Sequence, residues 1–312
     1  MNRKSRSEGL SPIGDFTNSG AMSLRDLVRK PRGQTYHPWR YAGIGVALIF
    51  TATIIQAVVM QEAFDWKVVT TYFFDPAILR GLLVTGRLAG ATMVVAISLG
   101  VLLAIMRMSS AKLPRYIASG YIWLFRGAPS LVQLIFWYNI AAIFPEIRLG
   151  IPFGPALVTL DANKILTPFV AAVLALGLHE AAYMAEITRG GLLSVNETQL
   201  TAARSIGLTP VQAFVRVRLP QALVAALPPT VNQLISVTKL TALVSVISVR
   251  DLLFSAQLIY HDNYLIMPLL IVATIWYLVV VTLLMGIQNL LERRLNPEYR
   301  TSVMAPPLGP DV

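Results

Sequence analysis

The chain has 312 residues, of which 55% are hydrophobic and only 13% charged, and its mean hydropathy is +0.62. A soluble domain carries about twice that charged fraction, so composition excludes an ordinary soluble globular protein and points to an integral membrane one. The absence of cysteine excludes a disulfide framework and a thiolate metal site.

A net charge of +10 does not mark a nucleic-acid binder here, because of where the charge lies. Eight of the 26 Lys and Arg fall in residues 1–40, and most of the others flank hydrophobic runs. No basic stripe interleaved with aromatics occurs, so the pattern is a membrane-topology signal. His37, His179 and His261 are far apart and form no ligand cluster.

The first stretch, MNRKSRSEGLSPIGDFTNSG, is basic and polar, with no adjacent short apolar core and small-residue cleavage site. Residues 1–38 therefore read as a mobile cytoplasmic tail, with a short amphipathic turn at Ser23–Lys30. Six segments meet or approach the roughly 20 apolar residues that a spanning helix needs. They are Tyr41–Met60, Gly81–Met106, Tyr116–Phe144, Thr167–Ile187, Pro229–Leu258 and Leu265–Leu291. With the amino terminus inside, the internal segments 1–40, 107–115, 188–228 and 292–312 hold 18 Lys and Arg, against four in the external loops. That imbalance places both termini in the cytoplasm. Residues 144–164, rich in Pro and Gly, read as an ordered re-entrant or cap segment. No solenoid repeat, low-complexity block or inverted repeat is visible.

The longest internal loop contains TQLTAARSIGLTPVQAFVRVRLPQ, residues 198–221. Its spacing predicts two short helices. The first, Glu197–Ile206, ends at Gly207, where a positive φ is needed. The second, Val211–Val217, opens with Thr209 as N-cap and Pro210 at the first helical position, and stops before Leu219-Pro220. Both carry apolar residues (Leu200, Ala203, Ile206; Val211, Phe214, Val215), and the small Ala202-Ala203 pair lets a partner approach closely. An elbow of this kind is shaped to dock into a groove.

Residues Thr201-Ala202-Ala203, Gly207 and Val217-Arg218-Leu219-Pro220 match, at every spacing, the EAA signature of the permease subunits of ABC importers. The flanking AAYMAEITRGGLLSV (181–195), LPPTVNQLISVTKLTAL (227–243), FRGAPSLVQLIFWY (125–138) and GLLVTGRLAGATMVV (81–95) resemble the subgroup that moves polar amino acids. The resemblance covers about residues 78–296, with the coupling loop at 189–220. It departs where Thr201 replaces the signature glutamate, where Thr198 replaces a common glycine, and in Lys239-Leu-Thr241-Ala242-Leu243.

The resemblance implies an all-α, MetI-like core of five helices, to which 39–77 adds an extra amino-terminal spanning helix and external loop. Residues 297–312 then form a cytoplasmic tail. It implies a bacterial inner-membrane subunit that pairs with a second permease, as homodimer or heterodimer, and receives a polar or charged amino acid from an external binding protein. No GxxxxGK[ST] occurs, so the chain cannot itself cradle ATP phosphates; the resemblance implies a non-catalytic subunit with no cofactor of its own, ATP and Mg²⁺ belonging to a partner ATPase. The coupling residues carried over are Thr201, Ala202, Ala203, Arg204, Gly207, Leu208, Pro210, Phe214, Leu219 and Pro220.

Ionisable residues inside spans are expensive and mark candidate pathways. Glu180 either lines a cavity or partners a basic group. Glu186 lies nearer the inner end, at the interface or paired with an arginine. Lys239, ten residues past Pro229 and so about 15 Å along a helix, meets either a substrate carboxylate or Glu180. Arg87, at a position commonly apolar in the family, pairs with a carboxylate in the cavity or in a partner subunit. Arg126 snorkels or orders the inner end of its helix. Gln133, Tyr138, Asn139 and Thr241 add hydrogen-bonding capacity, with helix–helix adhesion as the alternative for Gln133 and Tyr138. Two competing functions are an ion-coupled secondary carrier that uses Glu180 and Lys239 as a pair, and a non-transporting scaffold, which the buried charges disfavour.

Overall fold

The computed structural model describes residues 38–150 and 156–295. The two tails, 1–37 with the turn expected at 23–30 and 296–312, lie outside the described residues. Helix α1, Pro38–Met60, belongs to a compact unit of its own. Its 23 residues reach about 34 Å, enough for the hydrocarbon core of a bilayer. Along it, Thr51 and Thr53 donate their hydroxyls to the carbonyls of Ala47 and Ile49, at 2.8 and 2.9 Å, so neither is left unbonded in an apolar setting.

The second unit starts at Gln61. A 3-10 turn at Glu62–Phe64 leads into α2, Trp66–Tyr72, whose N-cap Asp65 accepts from Val68 N. Helix α3, Pro76–Met108, starts on the same chemistry: Asp75 accepts from Ala77 N at 2.7 Å and Pro76 takes the first position. The span expected at Tyr116–Phe144 is not one helix. It is α4, Lys112–Gly127, followed by α5, Ser130–Ile143. Pro129 forces Ala128 into extended backbone (φ −85°, ψ 139°), and the chain turns there. Between α5 and α7 the segment read as a cap is an antiparallel hairpin, β1 Glu146–Gly150 and β2 Ala156–Asp161, with Glu146 opposite Asp161. A single helical turn, α6 (Ala162–Ile165), joins it to α7, Pro168–Leu193.

After α7 come α8, Glu197–Ser205, and α9, Pro210–Ala213. The stop expected before Pro220 is absent. The helix continues through a π turn at Phe214–Arg218 into α10, Leu219–Leu240. The wider π turn, in which Leu219 N bonds back to Phe214 O, lets proline enter at the start of the next α stretch. Pro228 and Pro229 are also carried inside α10, and Thr230 donates its hydroxyl to Ala226 O at 2.8 Å where the ladder is weakened. The span expected at Pro229–Leu258 is therefore shifted to Pro210–Ile247, its end tightened into a 3-10 segment at Thr241–Ile247. Ser248, at φ 59°, ends it. Helix α11, Leu252–Asn263, and α12, Ile266–Leu295, complete the chain.

Among the described residues, four unbroken helices, α3, α7, Pro210–Ile247 and α12, are long and apolar enough to cross a membrane, and the region of α1 and α2 brings the number to at most five. The sixth expected span is the broken α4–α5 pair.

Helices α3 and α7 run in the same direction in close contact. A Cβ on Gly100 would fall 2.5 Å from Met184 Cβ, and one on Gly177 would fall 2.7 Å from a Val95 methyl. Buried Ala89, Ala96, Ala181, Ala182 and Ala185 continue the same close approach. Gly100→Val should lower the thermal stability of the purified protein, by about 1–3 kcal/mol as for an overpacked core. Gly90→Ala, where nothing lies within 4 Å, should leave the melting temperature unchanged.

Candidate functional site

The elbow is a folded unit with its own core. Gly207, at φ 91°, closes α8: its N–H donates to Arg204 O at 3.0 Å, and Leu208 N donates to Ala203 O at 3.2 Å. This is the paired bond set of a helix ending on a left-handed glycine. Two residues on, Thr209 and Gln212 exchange backbone and side-chain bonds at 3.3 and 3.0 Å, a capping box that starts α9. Leu200, Ala203 and Ala213 are buried together, with Leu208 and Val217 packed on them.

The base of the elbow is clasped by two side-chain bridges from α8. Arg218 pairs with Glu197, and Gln221 Nε2 donates to Gln199 Oε1 at 2.7 Å. What remains outward is apolar: Ile206 is 81% exposed, and Val211, Phe214 and Val215 are also exposed. They share the surface with Thr201, Ala202, Arg204, Gly207, Pro210 and Pro220, while Leu219 is half-buried. One expectation is corrected. Ala203, placed on the contact face by its motif, is buried inside the elbow; its small size lets α8 close on α9 rather than on a partner.

Inside the bundle, Glu180 on α7 is 3% exposed and accepts a hydrogen bond from Gln233 on α10. Lys239 is exposed and has no ion pair or hydrogen bond among the described residues. It lies six residues beyond Gln233 on the same helix, which turns it to another side. The pair that an ion-coupled carrier would use is thus not formed, and the coupling expected between Lys239 and Glu180 is corrected. Arg87 is likewise exposed and unpaired among the described residues. Asn139 donates to Ile135 O of its own helix at 2.8 Å.

Gln133 sits at the α4–α5 break, its Nε2 within 2.9 Å of both Phe125 O and Ala128 O and 3.2 Å from His179 Nδ1. It bonds Phe125 O, the carbonyl that Pro129 leaves without a donor, and Ala128 O at the turn, which holds the break between the two helices. Thr241 is buried, donates to Thr238 O at 2.7 Å and lies beside Tyr277.

Sequence reasoning missed three groups. Asp251 is fully buried: its carboxylate caps α11 through Phe254 N at 2.9 Å and receives the Tyr277 hydroxyl at 3.1 Å. Thr85 on α3 accepts from Leu252 N at 3.1 Å beside it. An Asp directly before the apolar Leu252-Leu253-Phe254 is a helix-start signal that could have located it. Gln233 carried no local signal. Glu186 forms ion pairs with Arg107 across α3–α7 and, at 3.0 Å, with Arg189 on its own helix.

Residues 96–297 match the family model of the binding-protein-dependent transport system inner membrane component. The chain belongs to this family. The permease is 36% identical over 259 residues to the arginine transport system permease protein ArgU of Corynebacterium glutamicum, covering 82% of this chain and 80% of that one. It is also 36% identical to the L-cystine transport system permease protein TcyL of Bacillus subtilis, over 71% of this chain and 88% of the relative. Among solved structures, an amino acid ABC transporter crystallised with histidines matches at a TM-score of 0.61 and 34% identity, over 72% of this chain and 97% of that one. The chain is thus a multi-pass, MetI-like membrane subunit of amino-acid ABC importers, and the scaffold and ion-coupled readings fall away.

Arg218→Met should loosen the elbow clasp and speed amide hydrogen exchange across 197–205 by about fivefold, the scale of one partly exposed ion pair near 1 kcal/mol. The exchanged pair Glu197→Arg with Arg218→Glu should restore protection.

Proposed function

We propose that the permease forms, with a second permease chain, the pathway for a polar or charged amino acid or a close derivative. An external binding protein delivers it, and a separate ATPase seated on the elbow drives the cycle with ATP and Mg²⁺. The observation that carries the reading is the elbow's division of labour. Its apolar inner residues are consumed by its own core, yet Ile206, Val211, Phe214 and Val215 still face outward from a polar loop. An exposed apolar patch on a rigid, capped unit is a docking surface.

The charge distribution of the flanks supports an elbow in the cytoplasm, with both termini on the same side. The relatives named for arginine and cystine support an amino acid with a polar or charged side chain. Closure of the ATPase pair would draw two elbows together, and the rigid connection to α7 and α10 would pass that movement to the bundle. Glu180, buried against Gln233, and the unpaired Lys239 are the pathway residues this reading assigns.

Deletion of 198–218, or Gly207→Pro, should abolish co-purification of the ATPase; retention of the ATPase on the deletion variant would contradict the docking role. Lys239→Met should lower binding-protein-stimulated uptake about tenfold, the scale of one charge-assisted contact, with ATPase association unchanged. Normal uptake would remove Lys239 from the pathway.

A further inference from the structure

Arg80 and Arg87 stand seven residues apart on α3, with Val84 between them, so their side chains leave the same face two turns apart. Arg250, just before the Asp251 cap of α11, joins Arg80 in the wall of a groove of about 420 Å³. Val84, Ser255 and Asp262 line it too. The groove lies between α3 and α11, which are held together at Gly81, where a Cβ would meet Ser255 Oγ at 2.4 Å and Asp251 O at 2.7 Å.

All three arginines are exposed, and none forms an ion pair within 4 Å among the described residues. Arg80 bonds only to Pro76 O, at 3.1 Å. Arg87 lies six residues inside the span read from Gly81, about 9 Å along the helix. A guanidinium inside the hydrocarbon is costly against lipid, up to roughly 3 kcal/mol at the centre of a span, and charged groups within spans face a cavity or a polar partner in preference to lipid. That cost favours a polar surrounding for this face of α3. The carboxylate of Asp262, at the end of α11, offsets only part of the positive charge of the groove.

We propose that this face is a binding site for the carboxylate of the transported amino acid, received by Arg80 and Arg250 and passed inward to Arg87. The proposal rests on the pathway reading above. Guanidiniums pair with carboxylates through two parallel hydrogen bonds, the Ser255 hydroxyl adds a donor, and the groove has the volume of a small-molecule site. Asp262 complements the ammonium end of the same ligand.

The chain has no cysteine, so Val84→Cys places a single thiol on it between the arginines. In vesicles carrying the assembled importer, that thiol is modified by a negatively charged and by a positively charged methanethiosulfonate, each rate normalised to a free thiol in solution. The expected result is a preference of about tenfold for the anionic reagent at low salt, as positive charge in a confined groove attracts anions. Adding Arg80→Gln and Arg87→Gln should abolish the preference. Millimolar L-arginine should slow the anionic reagent, whereas agmatine, the same side chain without the carboxylate, should not.

No modification by either reagent would mean that lipid or a second chain covers the face, and would overturn the proposal. Equal rates for the two reagents, or equal effects of arginine and agmatine, would overturn it as well. Uptake driven by ATP and binding protein, measured in the same vesicles, separates the two levels. Uptake with no anion preference removes this site alone, and absence of uptake from the unmodified importer removes the transport reading beneath it.

Discussion

The close approach of α3 and α7 is the interaction on which the rest of the permease depends. Two helices in hydrocarbon gain nothing from apolar burial relative to lipid, so they associate where small residues let backbones touch. Gly100 against Met184 and Ala185, and Gly177 against Val95, provide that contact over nearly two turns. Because the helices run the same way, their carboxy-terminal ends emerge together, and Arg107 of one can bind Glu186 of the other. The elbow grows directly out of this joined end, since α8 begins four residues after α7 finishes.

The return path is equally direct. From Pro210 the chain stays helical through the π turn, Pro220 and the Pro228-Pro229 pair as far as Ile247, a run of 38 residues. Together with the clasp between Glu197 and Arg218, this joins the elbow to the bundle through continuous helix. The polar groups within the spans fall into two sets. Gln133 and Asp251 close helix ends and hold the scaffold, while Arg87 and Lys239 are exposed and form no ion pair or hydrogen bond among the described residues.

Much of this was legible in the sequence. Gly207, Thr209-Pro210 and Gln212 carry their conformations in local chemistry, and the structure realises them as a glycine-ended helix and a capping box. The long apolar runs located four of the spanning helices for the same reason, that hydrocarbon thickness sets helix length. Proline was the unreliable guide. Pro129 does break its helix, but Pro220, Pro228 and Pro229 are carried within one helical run, Pro220 entering directly after a π turn. Local rules do not contain that continuity. Long-range partners were beyond reach for a related reason. Nothing near Glu180 names Gln233, 53 residues away, and nothing near Arg107 names Glu186, 79 residues away. Ala203 shows the converse: its motif marked it correctly as a position that must be small, and only the folded elbow showed that the close neighbour is internal.

The central claim is that this bundle moves an amino acid when work is applied to the elbow by another protein. The most direct test is uptake by sealed proteoliposomes containing the permease with its ATPase and any second permease chain. ATP is enclosed on the elbow side and loaded binding protein supplied on the other. The account predicts accumulation that requires ATP and the binding protein together and is indifferent to ionophores. Accumulation that persists without ATP and collapses on addition of an ionophore would contradict it.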